Sequence, residues 1–158
     1  EAVEWRFPET GQVVTVQEFE RARLEYHPEL SGTPYEIQLG LVGYEDAAHR
    51  GLLDSEPFRP REPTPEEREG CTYFWQTRHW ICSHLRAYWR SRGLEFGDPG
   101  VSLRESLALF GYPISEAFVD PQTGIRVQYF ERARLEYHPE HAGTPHEVLP
   151  GQLERGLP

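Results

Sequence analysis

The sequence has no Lys, no Met and no Asn, and all 16 of its basic residues are Arg. The three missing types are encoded by AT-rich codons, so their joint absence points to a GC-rich genome. Lack of Asn and Met, together with 14 Pro, also fits a hot habitat, where thermolabile side chains are avoided. No apolar run approaches the roughly 18 residues a helix needs to cross a bilayer, so no transmembrane segment is expected. No basic stripe offsets the net charge of −10, which argues against nucleic acid as a partner. The nearest run, Arg86 with Arg90 and Arg92, falls on one expected helix and reads as its solvated face.

Catalytic signatures are missing too. There is no HExxH helix, no G-x-S-x-G elbow and no Walker or GxGxxG phosphate loop. The chain is therefore expected to be a non-enzyme, without catalytic residues, cofactor or bound metal. Cysteine is scarce. Cys71 and Cys82 enclose ten residues, and neither sits in a nucleophile context. A disulfide is the preferred pairing, and it would imply an oxidising, extracytoplasmic location. Free thiols, or a metal site shared with His79 and His84, are the alternatives, although the spacing matches no common zinc pair. The first residue is Glu rather than Met, which fits a processed chain or a piece of a longer one.

What is present begins with aromatics. They make up 13% of 158 residues, and total apolar content is 37%, enough for a packed core. The eleven residues FERARLEYHPE at Phe19–Glu29 recur letter for letter at Phe130–Glu140, 111 positions on. The match extends upstream through Val16-Gln17 and Val127-Gln128. Downstream it continues through Gly32-Thr33-Pro34 and Gly143-Thr144-Pro145, then Gly40 and Gly151. A unit of this size is a structural repeat.

Alternation predicts a strand in each copy. Ala22, Leu24 and Tyr26 point to one side, expected to be the core. Arg21, Arg23, Glu25 and His27 point to the other, expected to face outwards. Phe19 breaks the period, which suggests a bulge near Glu20. Turns at Gly11-Gln12 and Gln122-Thr123-Gly124 precede the strands, and Gly32-Thr33-Pro34 follows the first. Each copy is thus expected to be a β-hairpin or meander of about three strands. Phe7–Gly11 has the letters of a sortase signal, but its place near the start of the chain makes it a turn.

Before the second copy, Ile81, Leu85, Tyr88 and Trp89 share a helical face, with Gly93 as a candidate C-terminal stop. Ser102 and Glu105 form a capping-box pattern ahead of Leu103, Leu107 and Phe110, closed by Gly111. The expected fold class is α+β, mainly β, with helices at about 79–92 and 102–110. The expected organisation is an incomplete first repeat at 1–44, a Pro/Glu/Arg-rich linker or long loop at 45–70, and a full second repeat at 71–158. The whole could form one compact domain.

The strings LALFGYPISEAF, TGIRVQYFERARLEYHPE and GTPHEV resemble repeat modules of secreted and cell-surface proteins from GC-rich bacteria. More distantly they are similar to the LGFP repeat. Leu107–Val148 carries the resemblance in full and Val16–Ile37 carries its later half. The resemblance implies a short hairpin with an aromatic-rich strand, appended to envelope proteins and itself non-catalytic.

Candidate binding residues follow from these patterns. Arg23, Glu25 and His27 recur as Arg134, Glu136 and His138. They form either a salt-bridged strand surface or a polar platform for a ligand or subunit. Tyr26, Tyr137, Trp75 and Trp80 have flat faces that could stack on sugar rings. His138, His141 and His146 are read as structural, since only the first has a counterpart in the other copy. The expected function is an extracellular or cell-surface module that binds or anchors to envelope polysaccharide. The alternative is a subunit that assembles with copies of itself, head to tail, into a filament or surface layer. A metal-dependent enzyme is the third possibility.

Overall fold

A computed structural model describes residues 1–8, 10–64 and 68–153. Each copy of the repeat builds a four-stranded antiparallel meander rather than one of three strands. In the first, β1 (Ala2–Arg6), β2 (Val13–Glu18), β3 (Arg23–Tyr26) and β4 (Ile37–Leu39) lie side by side in chain order. The chain next forms α1 (Val42–His49). A separate hairpin follows, β5 (Cys71–Phe74) with β6 (His79–Cys82), and then α2 (Ser83–Arg90) and α3 (Leu103–Phe110). The second meander comprises β7 (Phe118–Val119), β8 (Arg126–Phe130), β9 (Ala133–Tyr137) and β10 (Val148–Pro150). The α+β class, mainly β, is as expected, with all three sheets antiparallel.

The repeated string encodes the turn of a hairpin as well as a strand. Phe19 N–H donates to the Ala22 carbonyl, and Glu18 pairs with Arg23, so Glu20 and Arg21 form the tip between β2 and β3. Phe130 and Ala133 pair in the same way around Glu131 and Arg132. The expected bulge at Glu20 is therefore a chain reversal, which is why Phe19 falls out of step. Pro28–Leu30 and Pro139–His141 then form matching 3-10 turns, because proline cannot continue the ladder.

The second sheet is covered on both faces. On its outer face, Phe130, Leu135 and Val148 pack with Phe74, Ile81, Leu85, Trp89 and Phe110 from the hairpin and helices. On its inner face, Val127 and Tyr129 pack with Ala47 of α1 and with Phe58. Each fully buried apolar side chain contributes about 1.5–3 kcal/mol. Residues 45–70, expected as a linker or long loop, thus contribute Ala47 and Phe58, half of this second core. Its few apolar residues are enough because they meet a preformed sheet.

Two helix boundaries also differ from expectation. His79–Cys82 is strand, paired residue for residue with Cys71–Phe74, and the helix begins only at Ser83. Ile81 therefore faces the core from a strand rather than from the helix whose face it seemed to share. Gly93 does not stop α2, whose C-cap is Ser91. It allows close approach to α3, since a Cβ there would lie 2.6 Å from the Glu105 backbone. The α3 capping box is present as read: Ser102 Oγ accepts from Glu105 N–H, and Glu105 Oε2 accepts from Ser102 N–H at 3.2 Å.

The two repeats reach across to each other. After β4 the chain passes the second sheet's β8–β9 turn, where Tyr44 N–H donates to the Glu131 carbonyl at 3.1 Å. After β10 it passes the first sheet's β2–β3 turn, where Leu153 N–H donates to the Glu20 carbonyl at 3.3 Å. Glu20 and Glu131 are the same position of the repeat. Gly43 permits the first crossing, since a Cβ there would collide with the Phe130 carbonyl.

Candidate functional site

The repeated polar residues form two matching chains of ion pairs, with both arginines and Glu25 buried and the rest half-buried. Arg23 and Glu25 are 2% and 8% exposed, while Leu24 and Tyr26, which alternate with them, are 37% and 39% exposed. The alternation is as expected for a strand, with its sides reversed in the first repeat. The cause is charge pairing. Arg23 Nη1 and Nη2 donate to the two carboxylate oxygens of Glu45 on α1, each at 2.7 Å, and its Nε donates to Glu25 at 2.9 Å. A forked, charge-assisted arrangement of this kind satisfies the guanidinium away from water. Burial opposes the Arg23 charge, but Glu45 and Glu25 outweigh it and push its pKa up.

Arg134, 3% exposed, is held by Asp120 at 2.6 Å and Glu136 at 3.0 Å. The next residue of α1, Asp46, accepts from the Tyr129 hydroxyl at 2.7 Å and pairs with Arg50 at 3.0 Å. Burial, then the bond to Asp46, raises the Tyr129 pKa. Glu45 and Asp46 therefore fasten α1 to both sheets. His27 lies 3.0 Å from Glu29 and 3.3 Å from Glu25. His138 lies at the same two distances from Glu140 and Glu136. Arg23, Glu25 and Arg134 therefore do not face outwards as expected, and Glu136 is half-buried beside them.

The aromatic candidates separate. Tyr137 is half-buried and stacks on His84, with ring centroids 5.0 Å apart and planes 13° from parallel. Trp80 is only 6% exposed, with the Arg68 guanidinium 4.8 Å above its ring. Trp75, in the turn between β5 and β6, is 69% exposed. It meets Tyr73 edge-on at 5.0 Å, which props its ring outwards.

Trp75 and Tyr73 border a cleft of about 540 Å³ between the hairpin, α2 and α3. Gln76, Arg86, Arg90 and Ser102 supply polar groups; Val101, Leu103 and Tyr112 supply apolar surface. Val101 and Leu103 are themselves 44% and 61% exposed. The disulfide Cys71–Cys82 ties the hairpin ends beside α2, and the Cys71 carbonyl accepts from Arg86 at 3.2 Å. An open cleft with an aromatic rim and Arg and Gln side chains in its walls can hold a small polar ligand with flat apolar faces.

Of the candidate binding residues named from the sequence, only Trp75 lines this cleft, and the disulfide ties the hairpin that carries it. Gln76 carried no sequence signal, and Arg86 and Arg90 read as a solvated helix face, because their place on the cleft depends on how the hairpin meets α2. His138, His141 and His146 follow one another with ring centroids 6.2 and 6.4 Å apart. Among the described residues no group of three or more His, Cys, Asp or Glu could hold a metal ion, and no helix is long and apolar enough to cross a membrane. No family model, curated protein or solved structure matches the chain.

Proposed function

We propose that this chain is a non-catalytic repeat module, working outside the cell or at its surface, that holds envelope polysaccharide in the cleft headed by Trp75. The observation that carries the proposal is an indole 69% exposed at the rim of a cleft lined by Arg and Gln donors. A sugar ring presents C–H groups to an aromatic face and hydroxyls to such donors. The disulfide fits the oxidising setting. A net charge of −10 disfavours strongly anionic polymers, so the preferred ligand is a neutral or weakly charged glycan.

The test is retention on insoluble cell-wall polysaccharide, with Trp75→Ala alongside. Because Trp75 packs little, the variant should keep the far-ultraviolet spectrum and melting point of the parent while its retention falls at least tenfold. A parent chain that passes through the polysaccharide unretained defeats the proposal.

A further inference from the structure

We infer that the outer face of the first sheet is a docking site for a hairpin–helix–helix unit of the kind that residues 71–115 form on the second sheet. The register of the two meanders makes the comparison residue by residue. Val3 pairs with Val16 as Phe118 pairs with Val127, so Glu1 and Ala2 stand where Glu116 and Ala117 stand.

On the second sheet the unit covers Phe130, Leu135 and Val148, which are 0%, 0% and 4% exposed. Their counterparts Phe19, Leu24 and Ile37 are 47%, 37% and 47% exposed. Scattered exposed apolar residues are ordinary. These three lie on one face of one sheet, at the positions that form a core in the other.

The polar anchors of the interface recur as well. Gln128 Nε2 donates to the carbonyls of Trp80 and Ser115, both at 2.8 Å. Glu116 accepts from Trp80 N–H at 3.2 Å and lies 2.8 Å from His79 Nδ1. Gln17 and Glu1 occupy the same two register positions in the first repeat, where both are exposed. An amide and a carboxylate thus stand on the first sheet at the places where the seated unit is held on the second. The occupant is defined by that chemistry: a hairpin that offers a strand carbonyl and N–H, followed by a helix with an apolar face. A second copy of this chain cannot lend one readily, because its own unit forms the core of its second sheet.

The experiment extends the chain with a second copy of residues 71–115 joined directly to Glu1, which recreates the Ser115–Glu116–Ala117 junction. Hydrogen exchange at residues 13–26 should slow at least tenfold relative to the unextended chain, and binding of an apolar-surface dye should fall. In the extended protein, Leu24→Asp with Ile37→Asp should abolish that protection. The same pair in the unextended chain should leave its fold unchanged, since both positions are exposed. An appended unit that stays unprotected, with exchange at 13–26 unaltered, overturns the inference. So does an unextended chain that sediments as an oligomer with this face already protected, which would make a second copy the occupant.

Discussion

The two sheets carry an identical eleven-residue string, yet Leu24 lies open to solvent while Leu135 is fully buried. Local sequence has fixed the hairpin in both cases: the same two-residue tip, the same 3-10 turn after it and the same His–Glu distances. It has not fixed burial, which depends on what lies over the sheet. Around its paired arginine the inner face is buried in both repeats, although Val3 at the edge of the first is exposed. The outer face is core in one; in the other Leu39 is buried, but Phe19, Leu24 and Ile37 lie open.

This contrast can be broken first at the phenylalanine that opens the string. Phe130→Ala should cost about 3–5 kcal/mol, the range for a buried aromatic, whereas Phe19→Ala should cost less than ~1 kcal/mol. Equal losses in urea unfolding would mean that both outer faces are covered in solution. The inner face predicts the opposite pattern. Arg23→Met and Arg134→Met should each cost about 3 kcal/mol, because each leaves buried carboxylates without their cation. A near-neutral Arg23→Met would show the first sheet to be open on that side too.

The disulfide acts on one repeat alone. Replacing both cysteines with Ser should cost about 2–3 kcal/mol, the value for a loop of this length. Amide protection should fall most around Leu135, through local opening of the hairpin, and around Leu24 only through opening of the whole molecule. Protection that falls equally at both would make the hairpin a support of the whole molecule.

The smallest effects concern pH. Glu29 and Glu140 are both held below the usual carboxylate value, first by their own backbone N–H and then by His27 or His138. A depressed folded pKa stabilises fully above the unfolded value and is lost as pH falls through the folded one. Both turns should therefore loosen together on acidification, with matching carboxyl titration midpoints by NMR. Asp98 is held down to about 2 by Arg104 and Ser102, so its contribution should fade from about pH 4 towards 2, after the twin turns have begun to respond. Twin midpoints that differ by a full pH unit would show that the repeats diverge even at their exposed ends.

Period-two alternation was enough to place β3 and β9, and the capping box to place α3, because both signals are local. The sides of β3 were misread because Arg23 looks like a surface residue until Glu45, 22 positions away, is brought to it by α1. That helix went unnoticed in a segment whose Pro, Glu and Arg content resembles a linker. Trp75 stood out as a possible stacking residue, but its cleft did not, since Arg86 and Arg90 look like any solvated helix face. Sequence patterns report period and propensity; partners from distant segments leave no trace in them.

The reciprocal crossings at Glu131 and Glu20 bear on how the molecule comes apart. Each repeat supplies the latch of the other, so neither half has a complete set of contacts alone. Unfolding should be a single cooperative event despite the duplicated plan, and a protease cut in the Pro-rich stretch after Phe58 should yield two fragments that remain together until the whole melts.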